Sequence, residues 1–207
     1  GDVYKRQVMM EDGNIVFYTL AKENSYVSQL NPGHQLLKED EGYRLTTEKQ
    51  VVYVFNSTGQ LLTQTQQTGE VIEFSYNDQK QLKKVTSQSG ALRFRYTDEG
   101  LLSVIKDNAK RKVQFAYEKG CLTTITLPTK AVLRYGYDKQ DKLVSITNPR
   151  GIDLVKNEYD HLGRTVKQTF PDEGVMTYVY DDESQMITVT EQNGAQTLYH
   201  RDKHYRN

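Results

Sequence analysis

The chain has 207 residues, 36% hydrophobic and 26% charged, with 27 basic and 27 acidic side chains cancelling to a formal net charge of +0. That balance offers no basic face for phosphate, and one cysteine allows neither an intrachain disulfide nor a cysteine-based zinc site. Fifteen tyrosines and six phenylalanines exclude a disordered chain and favour strands, and no apolar run approaches the ~18 residues of a membrane helix.

The chain opens on Gly-Asp-Val-Tyr-Lys-Arg-Gln, residues 1–7. This stretch resembles translated adapter sequence and is set aside from the fold as a non-native or unstructured leader. Residues 8–50 form an introductory β segment. Strands are expected at 14–21, 25–30 and 42–47, joined at Asn31-Pro32-Gly33-His34 and Glu39-Asp40-Glu41-Gly42, whose composition marks turns.

From residue 51 the chain repeats. Aligning on the residue before a polar turn picks out Phe55, Tyr76, Tyr96, Tyr117, Tyr137, Tyr159, Tyr180 and Tyr199, spaced by 19 to 22 residues. Such a period marks a repeat architecture, here about seven units over 51–207. Each unit starts with a strand ending on the anchor aromatic. Residues two apart share a strand face, so Ile72-Phe74-Tyr76, Val113-Phe115-Tyr117, Leu133-Tyr135-Tyr137 and Met176-Tyr178-Tyr180 each line one face, with polar residues opposite. Val155-Asn157-Tyr159 is the weakest unit. After the turn comes a second strand, such as Leu82-Lys83-Lys84-Val85-Thr86 or Leu143-Val144-Ser145-Ile146-Thr147. There the leading Leu and the later Val or Ile are three apart, which places them on opposite faces.

Two turns punctuate each unit. The one after the anchor carries an Asx residue, as at Asp138, Asp160 and Asp181, whose side chain can bond the backbone two residues on. Gly59, Gly100 and Gly163 supply the positive φ that such a hairpin loop demands. The other turn carries Gly69, Gly90, Gly151, Gly174 or Gly194. Strand and turn alternating at this spacing make an all-β protein of repeated antiparallel hairpins.

Candidate chemistry is sparse. Asp160, His161 and Arg164 gather a carboxylate, an imidazole and a guanidinium, but the equivalent positions hold Asp98 and Glu99, Lys139 and Gln140, or Asp182 and Glu183. A loop tip tolerates that variety; acid–base catalysis in a tuned pocket does not. His200 and His204 lack a third ligand and the Glu that a zinc-protease motif places after its first His, where this chain has Arg201. Asp181-Asp182-Glu183 lacks the length and Gly of a calcium loop. Cys121 has no evident base, and Lys110-Arg111-Lys112 suits a solvated turn. No catalytic residue, cofactor site or metal site is assigned. Stacked tyrosines could bind sugar rings, but two-residue spacing suits packing within the sheet.

The unit is similar to the RHS/YD repeat, whose signature is a Tyr-Asp turn with Gly and Arg, then Leu-x-x-Val/Ile-Thr, then Gly, then a strand ending on the next Tyr. Tyr159-Asp160-His161-Leu162-Gly163-Arg164 matches the turn, although Thr165 and Gln168 replace the expected Leu and Val/Ile. Residues 137–147 keep the Tyr-Asp and the Leu-x-x-Ile-Thr, with Asp141 in place of Gly. Residues 117–126 are one residue short in the turn. The resemblance implies hairpins in a spiralling, curved sheet, a shell or cocoon fragment open at its ends. It also implies a structural role: enclosing or presenting a C-terminal effector, as in bacterial polymorphic toxins, with any catalytic activity in that effector. No Asp-Pro pair of the kind that precedes such effectors occurs; Asn148-Pro149-Arg150-Gly151 is a mid-array turn. The implied partners are further repeats and the effector, with cell-surface glycan as an alternative, and no nucleic acid or membrane insertion. The implied location is secreted or at the cell wall. A cell-surface carbohydrate-binding module and part of a wall-associated tRNA nuclease are the alternative readings.

Overall fold

The computed structural model describes residues 4–200, and among them it contains twenty β-strands and no helix. The chain forms two compact units. The first holds residues up to 95 together with Ile105–Arg111, and the second holds Tyr96–Val104 with residues from 112 on. The all-β class of repeated antiparallel hairpins is what both adopt.

In the first unit the strands are Lys5–Met9 (β1), Ile15–Lys22 (β2), Ser25–Val27 (β3), Gln35–Glu39 (β4) and Gly42–Thr46 (β5). They continue as Val52–Asn56 (β6), Leu61–Thr65 (β7), Val71–Tyr76 (β8), Leu82–Ser87 (β9) and Gly90–Tyr96 (β10). Each pairs antiparallel with the next in sequence. Leu102–Asp107 is β11. The second unit carries Lys112–Glu118 (β12), Cys121–Thr126 (β13), Val132–Tyr137 (β14), Leu143–Thr147 (β15) and Asp153–Tyr159 (β16). Thr165–Thr169 (β17), Val175–Asp181 (β18), Met186–Thr190 (β19) and Gln196–His200 (β20) complete it, again paired in sequence order.

Alternation decides which face is covered. In β8, Glu73 and Ser75 are exposed while Ile72, Phe74 and Tyr76 are half-buried, and β12 repeats this with Gln114 and Ala116 against Val113, Phe115 and Tyr117. The second strand of each hairpin departs from expectation. Tyr76 faces Leu82 and Ser75 faces Lys84, so Lys83 is skipped. Thr123, Val144 and Val166 are skipped in the same way opposite Tyr117, Tyr137 and Tyr159. A β-bulge adds one residue to one strand and so shifts facing by one. Leu82 and Val85, three apart, therefore both sit opposite anchor-face residues, Tyr76 and Phe74. The sequence-based assignment of these pairs to opposite faces is corrected by the bulge. The β18–β19 hairpin has none, and there Ile187, not Met186, faces Tyr180.

Most of the described turns share one geometry. The first turn residue donates its N–H to the carbonyl four residues on, and the fourth donates back to the first, as in Asn56 to Gln60 and Gly59 to Asn56. The fourth residue takes a left-handed conformation: Gly59, Gly100 and Gly163 have φ of 87°, 83° and 82°. Asp141, where glycine is expected, takes the same place at φ 59°, and Lys80 does so at 63°. In the loop with Gly174 the positive φ falls on Glu173, the residue before the glycine. The shortened turn at 117–126 is a two-residue loop with Lys119 and Gly120 both at positive φ, the pattern of a type I′ hairpin.

The introductory segment is more ordered than its sequence suggests. Setting residues 1–7 aside is corrected for Lys5, Arg6 and Gln7, which pair in register with Thr19, Tyr18 and Phe17; residues 1–3 lie outside the described residues. Arg6 explains the pairing. Its guanidinium lies 5.4 Å from the Tyr26 ring and 5.6 Å from the Tyr43 ring, and its Nε donates to the Tyr43 hydroxyl at 3.1 Å. Between these strands Tyr18, Tyr26, Leu36 and Leu45 are at most 2% exposed, with Val8, Val16, Tyr53 and Phe55 packed against them. Strand β4 was missed, and the strand expected at 25–30 stops at Val27. The Tyr18 hydroxyl meets His34 Nδ1 at 2.9 Å, so the turn over residues 31–34 is tied to the core.

Candidate functional site

The repeated feature of the array is a tyrosine that ends a strand beside a bulge. A bulge leaves a backbone group without its ladder partner, and a buried carbonyl without a donor is costly. The anchors supply that donor. The hydroxyl of Tyr137 donates to the Leu122 carbonyl at 2.8 Å, that of Tyr159 to Leu143 at 2.6 Å, and that of Tyr180 to Thr165 at 2.8 Å. Tyr76 and Tyr117 do the same to Leu61 and Leu102, each at 2.8 Å. Leu122, Leu143 and Thr165 are the residues that face the preceding anchors, Tyr117, Tyr137 and Tyr159. Tyr76, Tyr137, Tyr159 and Tyr180 are thus each fastened to the partner of the anchor before it. The hydroxyls serve the sheet's own backbone.

The turn acids cap their own loops. Asp138 Oδ1 accepts from the amides of Gln140 and Lys142, and Asp160 Oδ1 from those of Leu162 and Arg164. Asp181 Oδ1 accepts from Glu183 and Ser184. The Lys142 and Gln140 amides hold the Asp138 carboxyl below the usual carboxylate range, and the Ser184 hydroxyl and amide do so for Asp181. For Asp160 desolvation acts upward, but the amide and guanidinium of Arg164 together outweigh it and the carboxyl is lowered.

Arg164 is the residue whose role sequence analysis underrated. Its Nε donates to Asp160 at 2.7 Å within the turn, and its Nη1 to both oxygens of Asp182 in the next hairpin, at 2.8 and 2.9 Å. Its guanidinium lies 4.3 Å from the centre of the Tyr180 ring. Lys142 lies 5.5 Å from the centre of the Tyr159 ring in the same manner. At these two positions the basic group of one turn therefore covers the next anchor. His161 is exposed at the loop tip, as expected. Asp160, His161 and Arg164 make a structural turn in which the acid and the base hold each other.

The weakest unit carries its own compensation. Asn157 stands where an aromatic is expected and Gln168 where Val or Ile is expected, and the two face each other across β16 and β17. Gln168 Nε2 donates to Asn157 Oδ1 at 3.0 Å, Asn157 Nδ2 to the Leu143 carbonyl at 3.0 Å, and the Tyr178 hydroxyl to Gln168 Oε1. A polar network replaces an apolar pair.

Among the described residues no group of three or more His, Cys, Asp or Glu is placed to hold a metal ion. His200 lies on the exposed strand β20, and His204 lies outside the described residues. Tyr199, on the same strand, is 45% exposed, unlike the anchors before it. Arg111 of the basic run pairs with Asp107 at 2.6 Å across its own turn.

The family model described as the teneurin YD-shell matches residues 44–206. The chain belongs to this family. It is a structural YD-shell segment, and the anchors, bulges and capped turns above are the repeating parts of that shell. No curated protein matches the chain. Among solved structures, the Photorhabdus luminescens Tc holotoxin pore is similar at 12% identity and a TM-score of 0.40, over 91% of this YD-shell chain and 13% of that one. The complex TcdB2-TccC3 without its hypervariable C-terminal region is similar at 12% identity and a TM-score of 0.42, over 91% of this chain and 15% of that one. TcdB2-TccC3 itself gives 12% and 0.42, over 94% and 16%. The YD-shell chain thus spans less than a fifth of the length of the structures it matches.

Proposed function

We propose that this YD-shell segment is wall material of a longer secreted or cell-surface protein, and that the wall encloses or presents a C-terminal effector lying outside this chain. The observation that carries the reading is the repeated fastening of an anchor hydroxyl, at Tyr76, Tyr137, Tyr159 and Tyr180, to the backbone facing the previous anchor. It spends the polar groups of the repeat on holding neighbouring hairpins together, which suits a barrier. Catalysis, in this reading, belongs to the effector, and the segment acts by sequestration. Further repeats are its direct partners.

Limited proteolysis of the full-length gene product tests this. The region C-terminal to the array should resist protease in the intact protein and be digested rapidly when expressed alone. Equal digestion in both settings would overturn the sequestration reading. Binding of the intact array to a glycan array, with its C-terminal region unprotected, would favour a carbohydrate-binding role instead.

A further inference from the structure

A second feature lies where the β1–β2 turn meets β6 and β7, the first strands of the array. Glu11 sits in that turn, and its Oε1 accepts from the Tyr53 hydroxyl at 2.8 Å and from Gln64 Nε2 at 2.7 Å. Both donors converge on one carboxylate oxygen. Among the described residues Oε2 has no donor from the protein, and Glu11 makes no ion pair. Gln64 is 8% exposed, and its amide nitrogen is committed to Glu11, which leaves its Oε1 an acceptor without a donor among the described residues. A buried acceptor left in this way has a cost that a ligand or water can relieve. These groups line a surface recess of about 320 Å³, shared with Met10, Glu48 and Lys49. Lys49 lines it without pairing to either acid.

Elsewhere in this molecule tyrosines are already engaged by its own arginines. Arg164 lies against the Tyr180 ring and is held by the carboxylates of Asp160 and Asp182. Arg6 lies between the Tyr26 and Tyr43 rings and donates to a tyrosine oxygen. The Glu11 recess offers a carboxylate oxygen, an amide oxygen and a tyrosine, with no arginine among its lining residues. The planar fork of a guanidinium matches two such acceptors better than a point charge does. We propose that this recess binds a guanidinium group, carried either by a free arginine-like molecule or by the arginine of a peptide.

The test is an NMR titration of the whole chain, read at the Gln64 side-chain amide and the Tyr53 ring. The probes are N-acetyl-arginine amide and an acetylated pentapeptide with a central arginine, each matched with its neutral citrulline counterpart. Saturable shifts with arginine, about tenfold weaker with citrulline, are expected, since charge-assisted hydrogen bonds are the ones lost. A response in the first probe assigns the free group, and one confined to the pentapeptide assigns a peptide source. Glu11→Gln, which keeps an acceptor for Tyr53 and Gln64, should weaken binding by a similar factor. Gln64→Met, which removes the amide oxygen at similar volume, should also weaken it. No saturable shift, or equal shifts with citrulline, would overturn the proposal. If either variant unfolds, the arginine–citrulline comparison on the unaltered chain still decides.

Discussion

The introductory strands and the repeat array solve the same problem by different means. In the first, strands β1 to β5 bring Tyr18, Tyr26, Leu36 and Leu45 to at most 2% exposure, and side chains far apart in sequence meet: Arg6 on Tyr43 and, at the border with the array, Glu11 on Tyr53 and Gln64. From β12 on, strands pack against their sequence neighbours, and Val189 at 8% is the one described hydrophobic residue there that is buried. Half-burial of an aromatic gives only part of the ~1.5–3 kcal/mol that full burial of a large apolar side chain supplies. Several hairpins of the array add specific polar contacts: the phenol latch, the Asx cap and, from Lys142 and Arg164, a basic group over the next ring. Apolar burial carries the first region. Register in the second is supported by hydrogen bonds that recur along the repeat.

That contrast can be broken experimentally, starting with its largest effect. Leu45→Ala should lose about 2–5 kcal/mol, the range for a fully buried leucine, while Leu133→Ala in the half-buried face of β14 should lose roughly half as much. Urea unfolding of both variants checks this, and equal losses would end the distinction. Next comes the polar pair in the weakest unit. Asn157→Phe and Gln168→Val should each cost about 1–3 kcal/mol, since each strands its partner's polar group, and the double variant should recover about 1 kcal/mol or more. A double-mutant cycle with additive losses would show that the two departures from the repeat do not compensate each other.

Removing one latch is a smaller perturbation. Tyr137→Phe keeps the ring and loses the bond to Leu122, and should cost about 1 kcal/mol. Tyr199→Phe should be close to neutral by the same melt, because Tyr199 is 45% exposed on β20 and its hydroxyl has no partner among the described residues. Smaller again, Asp141→Gly should gain about 0.5–1 kcal/mol, since φ of 59° is strained for a residue with a Cβ. A loss would mean that the extra freedom of glycine in the unfolded chain outweighs the relief.

The smallest effect per site is titration of the turn acids. Asp138, Asp160 and Asp181 are depressed in the folded chain, so their contribution is present above the ordinary carboxylate pKa of ~4 and is lost as pH falls through their lower folded values. Thermal melts should therefore shift downward as pH drops below about 4, and Asp160→Asn, which keeps the capping oxygen without the charge, should blunt that slope. An unchanged slope would assign the acid sensitivity to other groups.

Much of the array was legible because a strand's side-chain period is two and the anchor face is apolar. Ile72, Phe74 and Tyr76 declare their face without reference to anything distant, and the Asx residues and Gly59, Gly100 and Gly163 declare the turns. The bulges were not legible. No residue type marks the skipped position, which is Lys83 in one hairpin, Thr123 in another and Val144 in a third. Asp141 and Lys80 were hidden for a related reason: a tight hairpin imposes a left-handed backbone on whatever residue occupies the site. Arg164 was visible as a turn residue, but its partner Asp182 lies eighteen positions on, and only hairpin-to-hairpin pairing brings them together.

By itself, the sequence determined the strand period, the repeat and the face of each anchor, because these depend on local alternation and turn chemistry. The tertiary structure alone decided three things: the bulge that turns Leu82 and Val85 to one face, the acceptor of each tyrosine hydroxyl, and the buried core around Tyr18 and Leu45. Each is a relation between residues of different strands, set by where backbone groups and apolar surfaces meet, and a one-residue shift in register would undo it.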